Sequence, residues 1–268
     1  MLAIHECHLP EAQLNAVWPL LDFESIPEVE RIGLRSGSGQ DIQLIIESAD
    51  LDAPEMRIEE LPVSVVHLSP GGALVLAGSQ EIWVEILGRP LRVSAGSFFQ
   101  VNTKTAESLV KHILNALPDF IELDNNSTIL DLYCGVGLFS AFLAPIVGRL
   151  VGIESSSSAA DDFVLNLDEF ETVELYQAEV EQVLPQLELK PDIILVDPPR
   201  SGISPKAMDA LLKMKAPILV YISCDPATLS RDAKRLTSGG YKLNQITPVD
   251  MFPQTYHIES VSFWSISQ

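Results

Sequence analysis

Basic residues are scarce in this chain: 17 lysines and arginines stand against 37 acidic residues, giving a formal net charge of −20. That balance is the reverse of a surface built to grip a polyanion everywhere, because phosphates are neutralised by Lys and Arg. Cysteines are few and odd in number: Cys7, Cys134 and Cys224. Their wide spacing argues against a disulfide framework and for a reducing, cytoplasmic setting. With no CxxC pair and no His/Cys cluster, no metal site and no iron–sulfur site is expected. No uninterrupted apolar run reaches the roughly 18 residues of a bilayer span, so no membrane partner is expected. The opening Met1-Leu2-Ala3-Ile4-His5-Glu6 lacks a basic segment followed by an apolar one, and no export signal is read there.

Apolar residues are plentiful, at 47% of 268, enough for one large core and a smaller one. The acidic excess is also uneven. From Asp197 to Arg235 seven basic residues (Arg200, Lys206, Lys213, Lys215, Arg231, Lys234, Arg235) outnumber four acidic ones, while residues 1–60 carry much of the opposite bias. A basic rim around a single pocket is compatible with that distribution.

Residues 1–95 read as a small α+β region. Alternating stretches at Val29–Leu34 and Asp41–Ile46 flank a turn at Arg35–Gln40, and short strands are expected at Val63–His67, Leu74–Ala77, Ile82–Ile86 and Leu91–Val93. A helix begins near Asn102 or Thr103, with Ala106, Leu109, Val110, Ile113, Leu114 and Leu117 at helical spacing and Pro118 as its stop. Residues 96–268 read as a second, larger domain. Its apolar strands, at Thr128–Leu132, Leu150–Ile153, Val173–Tyr176, Ile193–Val196 and Ile218–Ile222, alternate with helical patterns, the first near Leu138–Ala144. Such alternation predicts an α/β, Rossmann-like domain with a mostly parallel sheet, whose ligands sit at the carboxyl ends of the strands.

Each chemically suggestive motif falls at such an end. Asp131-Leu132-Tyr133-Cys134-Gly135-Val136-Gly137 turns tightly after a strand, and Gly135 and Gly137 let backbone approach a ligand. A tight turn alone would explain them equally well. Glu154 closes the next strand, where a carboxylate can accept both hydroxyls of a ribose. A nicotinamide cofactor would use a similar acid, but the third glycine of GxGxxG is absent, which favours a methyl donor over a pyrophosphate. Asp197-Pro198-Pro199-Arg200-Ser201-Gly202 is a stiff loop that holds a carboxylate at a strand end. Adenine-N6 methyltransferases carry an aromatic after the paired prolines, and this chain has Arg200.

Cys224, in Tyr221-Ile222-Ser223-Cys224-Asp225-Pro226, follows a strand and precedes a helix. Read alone it is either a small buried hydrophobe or a nucleophile whose thiolate the helix N-terminus favours. Glu259 leads into an apolar terminal strand, as a surface carboxylate or as a base, and His257 is a neighbouring polar contact or exposed. A cysteine and a base in one pocket suit methylation of pyrimidine C5, in which a thiolate adds to C6 and a base later removes the C5 proton.

With these residues in view, the sequence resembles the TrmA family of RNA (uracil-C5) methyltransferases. The resemblance runs through Phe98–Asn102, Asp131–Gly137, Gly152–Glu154, Val196–Gly202, Ser223–Asp232 and Asp250–Val261, over roughly residues 60–265. It implies S-adenosyl-L-methionine as cofactor, held or lined by Gln100, Tyr133, Gly135, Gly137, Glu154, Glu179 and Asp197. It implies Cys224 as nucleophile, Glu259 as general base and Asp197 as a second contact, orienting the uracil. The implied partner is ribosomal or transfer RNA and the product 5-methyluridine. Two positions depart from the family pattern: Leu138 stands where a polar residue is common, and Tyr176-Gln177-Ala178-Glu179 replaces an Asp-containing segment. The family's RNA-binding TRAM barrel and its cluster cysteines have no counterpart here, and His5-Glu6-Cys7-His8 resembles the segment that follows them. RNA binding is therefore expected to be weak without an added module. The alternatives are cytosine-C5 methylation, disfavoured because the Asp-Pro-Pro loop has no cysteine, and a non-catalytic RNA-binding or folding factor on a methyltransferase core.

Overall fold

The computed structural model describes residues 10–21, 29–56 and 63–266. Cys7 and the rest of His5–His8 lie outside the described residues. The chain divides into two compact units, Met1–Val101 and Asn102–Gln268.

The first unit holds helix α1 (Ala12–Val17) and six strands: β1 (Val29–Ser36), β2 (Ile42–Ser48), β3 (Ser64–Ser69), β4 (Gly72–Ala77), β5 (Glu81–Ile86) and β6 (Arg89–Ser94). β1 to β4 form a sheet in chain order, with β2 and β3 parallel and the outer pairs antiparallel. β5 and β6 form a hairpin. The β-branched residues of β2 and β3, among them Ile42, Ile46 and Val65, close over Val17 of α1 in a small apolar core.

The second unit opens with α2 (Thr103–Ala116), capped by the Asn102 side chain, which accepts from the Thr105 amide at 3.1 Å. Then come β7 (Thr128–Leu132), α3 (Ser140–Leu143), β8 (Arg149–Glu154), α4 (Ser157–Asn166), β9 (Val173–Gln177), α5 (Val180–Val183), β10 (Ile193–Val196), α6 (Pro205–Met214), β11 (Ile218–Ser223), α7 (Pro226–Ser238), β12 (Tyr241–Val249) and β13 (Glu259–Ile266). The sheet order is β12-β13-β11-β10-β7-β8-β9. β9, β8, β7, β10 and β11 run parallel, and β13 and β12 close the sheet antiparallel. The strands β7, β10 and β11 are almost wholly buried, as central strands between two helical layers must be. Chain order reverses between β7 and β10, and their carboxyl ends flank the crevice where such sheets take ligands.

One sequence expectation changes, and one strand, β12, has no counterpart in the sequence reading. The helix anticipated near Leu138–Ala144 is only the four residues of α3, because Pro145 converts its continuation into a 3-10 turn at Ala144–Ile146. β12 carries little apolar signal of its own. Lys242, Leu243 and Asn244 are exposed, exposed Ile246 and Pro248 then alternate with half-buried Gln245, Thr247 and Val249, and pairing with β13 makes it a strand.

Candidate active site

The loop after β7 is built by backbone conformations that side chains resist. Tyr133, Gly135 and Gly137 have φ of 62°, 54° and 90°. A Cβ at Gly137 would press on Leu167 Cδ1 at 2.5 Å and Phe163 Cδ2 at 3.1 Å, whereas one at Gly135 would meet nothing within 4 Å. Gly137 is thus packing, and Gly135 faces open space. Leu138 is buried.

Three carboxylates surround this loop. Glu154, at the end of β8, accepts the Gly135 amide at 2.9 Å through Oε2 and the Ser156 amide at 2.7 Å through Oε1. A carboxylate has about four acceptor positions, so Glu154 keeps capacity for a further pair of donors. Asp131 was not singled out from the sequence. Its Oδ2 accepts the Ser140 hydroxyl at 2.6 Å, while its buried Oδ1 has no hydrogen-bond partner among the described residues. Burial, helped by the Glu154 charge and opposed by the Ser140 hydrogen bond, pushes the Asp131 carboxyl up to about 7. Burial raises the Tyr133 hydroxyl, and the charges of Glu181, Asp232 and, least of the three, Glu179, exposed just before α5, add to it. Gln100 belongs to the end of the first unit and is half-buried.

Strand register assembles the second group. β11 pairs with β13 through Ser223 opposite Ser260, so the next residue of one strand and the preceding residue of the other, Cys224 and Glu259, emerge side by side. Asp197 follows Val196 of β10, itself opposite Tyr221 of β11. Glu259 is 5% exposed, so the surface-carboxylate alternative does not hold. Burial raises its carboxyl and the Arg200 charge lowers it. Asp197 is raised well above the ordinary carboxylate range by burial, with Glu259 and Asp131 adding to the effect.

The thiol differs from expectation. Cys224 is half-buried at the foot of α7, with Ser223 Oγ bridging to the Asp225 backbone and Asp225 capping the helix through the Thr228 amide at 2.7 Å. Burial, Glu259 and Asp197 push its thiol up, and Arg200 and its backbone amide only partly oppose them. Two neighbouring carboxylates and desolvation outweigh the helix end. Arg200 is the cation common to Cys224, Glu259 and Asp225, and its place after the paired prolines was the sequence signal for it.

The Asp-Pro-Pro loop is tied to α7 by side chains the motif reading left unassigned. Thr228 Oγ1 donates to the Arg200 carbonyl at 2.9 Å, and Arg231 Nη2 to the Ser201 carbonyl at 2.9 Å. Asp232, 1% exposed, accepts from the Ile203 amide at 3.0 Å, the Tyr221 hydroxyl at 2.8 Å and Arg231 Nε at 2.9 Å. Gly202, at φ 74°, lets the loop lie this close, since a Cβ there would overlap Thr228, Arg231 and Asp232.

A seven-stranded sheet of this order, with a glycine loop after β7 and an acid ending β8, is the fold of the class I S-adenosylmethionine-dependent methyltransferases. Residues 184–265 match the family described as tRNA (Uracil-5-)-methyltransferase. The resemblance to the TrmA family read from the motifs is borne out by this match and by those that follow. The chain is 36% identical over 250 residues to a Streptomyces avermitilis protein named an uncharacterized RNA methyltransferase, covering 90% of this chain and 56% of that one. It is 36% identical over 189 residues to a protein of the same name from Clostridium tetani, covering 70% of this chain and 41% of that one. The chain thus spans about half the length of the curated relatives it matches. Among solved structures, the Pyrococcus abyssi tRNA (uracil-54, C5)-methyltransferase in complex with S-adenosyl-L-homocysteine matches with TM-score 0.68 and 25% identity, over 88% of this chain and 60% of that chain. The M. jannaschii tRNA m1G37 methyltransferase shares the fold at TM-score 0.58 and 14% identity, over 92% of this chain and 81% of that chain.

Proposed function

We propose that this chain methylates carbon 5 of uridine in RNA, with S-adenosyl-L-methionine as methyl donor, Cys224 as nucleophile and Glu259 as general base. The observation that carries the reading is the pairing of Cys224 with a buried Glu259 across β11 and β13, with Asp197 and Arg200 in electrostatic contact.

The residues around the β7 loop fit the donor. Asp131 offers a buried acceptor atom with no partner among the described residues, suited to an ammonium group. Glu154 has acceptor capacity for a ribose diol, and Gly135 leaves open space beside it. Tyr133, Glu179 and Asp197 complete the proposed donor side, with Gly137 shaping the loop.

The Cys224 thiolate adds to uracil C6, and the C5–C6 π electrons move toward O4. S-adenosyl-L-methionine, when bound, would supply the sulfonium methyl that C5 takes, the methyl–sulfur bond breaking to leave S-adenosyl-L-homocysteine. Glu259 then removes the C5 proton, the C5–C6 double bond re-forms, and the C6–S bond breaks to return the thiolate. Burial makes Glu259 a stronger base than an exposed carboxylate, while Arg200 favours its ionised form. Asp197, half-buried with its carboxyl raised well above the ordinary range, favours the protonated form and can donate to a uracil carbonyl to fix the ring.

The deciding test is nucleoside mass spectrometry of unmodified transfer and ribosomal RNA incubated with the protein and S-adenosyl-L-methionine, beside Cys224→Ala and Glu259→Gln. New 5-methyluridine from the wild type alone is the expected result, and the RNA that acquires it identifies the substrate. Turnover by Cys224→Ala would sink the nucleophile assignment, and 5-methylcytidine instead would sink the choice of base.

A further inference from the structure

The β12–β13 loop, residues 250–258, carries chemistry that methyl transfer does not use. Tyr256 is 89% exposed. Its ring lies on His257, centroid to centroid 4.1 Å with a tilt of 37°, and His257 meets Phe252 edge-on at 5.8 Å. The loop holding them is pinned. Met251 is buried, Thr255 Oγ1 donates to the Phe252 carbonyl at 2.8 Å, and the His257 amide donates back to Thr255 Oγ1 at 3.2 Å. Gln254 sits at φ 66°, which turns the chain sharply between Phe252 and Tyr256. An exposed ring on a braced loop loses little freedom when something stacks on it.

We propose that Tyr256, backed by His257 and Phe252, is a stacking platform for an unpaired base of the substrate RNA, flanking the uridine that enters the pocket. This rests on the proposed function, since Glu259 lies three residues beyond Tyr256 on the same chain path. Exposed Pro253, Gln254 and Thr255 surround the ring and Ile258 is only 38% exposed, a mixed surface rather than a broad apolar protein-docking patch. Every base offers a π face, and sequence-specific enzymes on single-stranded RNA commonly stack splayed bases on aromatic side chains. Stacking also needs no positive charge, which a chain of net charge −20 has little of to spare.

The test is equilibrium binding of short single-stranded oligoribonucleotides carrying 2-aminopurine beside a uridine, for wild type, Tyr256→Ala and Tyr256→Phe, with RNA KM measured in parallel. Tyr256→Ala is expected to bind about tenfold more weakly and to lose the fluorescence quenching, Tyr256→Phe to retain both, and the salt dependence to stay unchanged. Melting temperatures check that the exposed substitutions leave the fold intact. If the wild type forms 5-methyluridine and Tyr256→Ala shows the same affinity, quenching and KM, the stacking platform is overturned and the proposed function stands. A wild type that binds S-adenosyl-L-homocysteine and methylates RNA but neither binds nor quenches the oligoribonucleotide overturns the platform and leaves the proposed function standing. A wild type that binds neither S-adenosyl-L-homocysteine nor the oligoribonucleotide overturns both proposals.

Discussion

Tyr221 of β11 donates its hydroxyl at 2.8 Å to Asp232, a carboxylate two turns into α7 that also accepts the Ile203 amide of the neighbouring loop. One buried acceptor thereby joins the strand leading to Cys224, the helix that follows it and the loop that begins with Asp197.

Removing that acceptor leaves a buried hydroxyl and a buried amide without their partner. Asp232→Ala is expected to lower the unfolding free energy by about 3 kcal/mol. Urea denaturation measures it, and a loss under about 0.5 kcal/mol would show that these donors find other partners. Asp232→Asn, which keeps an acceptor for Tyr221 but loses the charge facing Arg231, should fall between the two.

The raised Cys224 thiol has a consequence testable without RNA. Glu259 and Asp197 oppose the thiolate and Arg200 favours it. In a Cys7→Ser background, iodoacetamide alkylation of Cys224 should therefore be slow at neutral pH. Glu259→Gln should accelerate it several-fold by removing a like charge, and Arg200→Ala should slow it. Cys134, buried with its thiol pushed well up, should stay unlabelled in the native protein. Rates that ignore both substitutions would refute the electrostatic coupling.

The sheet was legible where burial is two-sided. Ile193–Val196 is a continuous apolar run bounded by Asp192 and Asp197, and Thr128–Leu132 is apolar but for Thr128 and Asp131; both strands have those bounds. β12 was not legible, because an alternating, half-exposed strand with Lys242 and Asn244 resembles a loop until β13 supplies its partner. The strand-end acids and Cys224 stood out because polar groups interrupt apolar runs there. Their pairing did not: that Cys224 emerges beside Glu259 depends on antiparallel register between segments far apart in sequence. Asp232 was hidden for the same reason, since its partners Tyr221 and Ile203 lie in other elements. The raised thiol was opposite to the helix-end expectation, which took account of α7 and omitted the two carboxylates that the sheet brings to it.

Donor binding at the β7 loop predicts a selective thermal shift. S-adenosyl-L-homocysteine at about 100 times its Kd should stabilise the protein by about 2.7 kcal/mol and raise its melting temperature by several degrees, with no shift from NAD. Glu154→Ala should abolish most of that shift by removing the acceptor proposed for the ribose. The substitution also strips the Gly135 and Ser156 amides of a partner, so its ligand-free melting temperature should fall. A fall without any loss of ligand response would restrict Glu154 to bracing the loop.

Asp131 makes stability depend on pH in a direction opposite to that of an ordinary paired carboxylate. Its folded-state carboxyl is pushed up to about 7 from the ordinary 3.8. Between those values the folded protein holds a proton that the unfolded chain has released, so unfolding releases a proton and stability falls as pH rises. Asp131→Asn removes the titration and keeps an oxygen to accept the Ser140 hydroxyl. The difference in melting temperature between the variant and the wild type should therefore grow in the variant's favour from about pH 4 to about pH 7, by roughly 5 °C. Comparing the two proteins at each pH cancels the self-repulsion that a chain of net charge −20 also accumulates over that range. If Asp131 is the donor's ammonium acceptor as well, the variant should be the more stable protein at neutral pH and the weaker binder of S-adenosyl-L-homocysteine. Greater stability with undiminished affinity would leave the orphaned Oδ1 without a ligand.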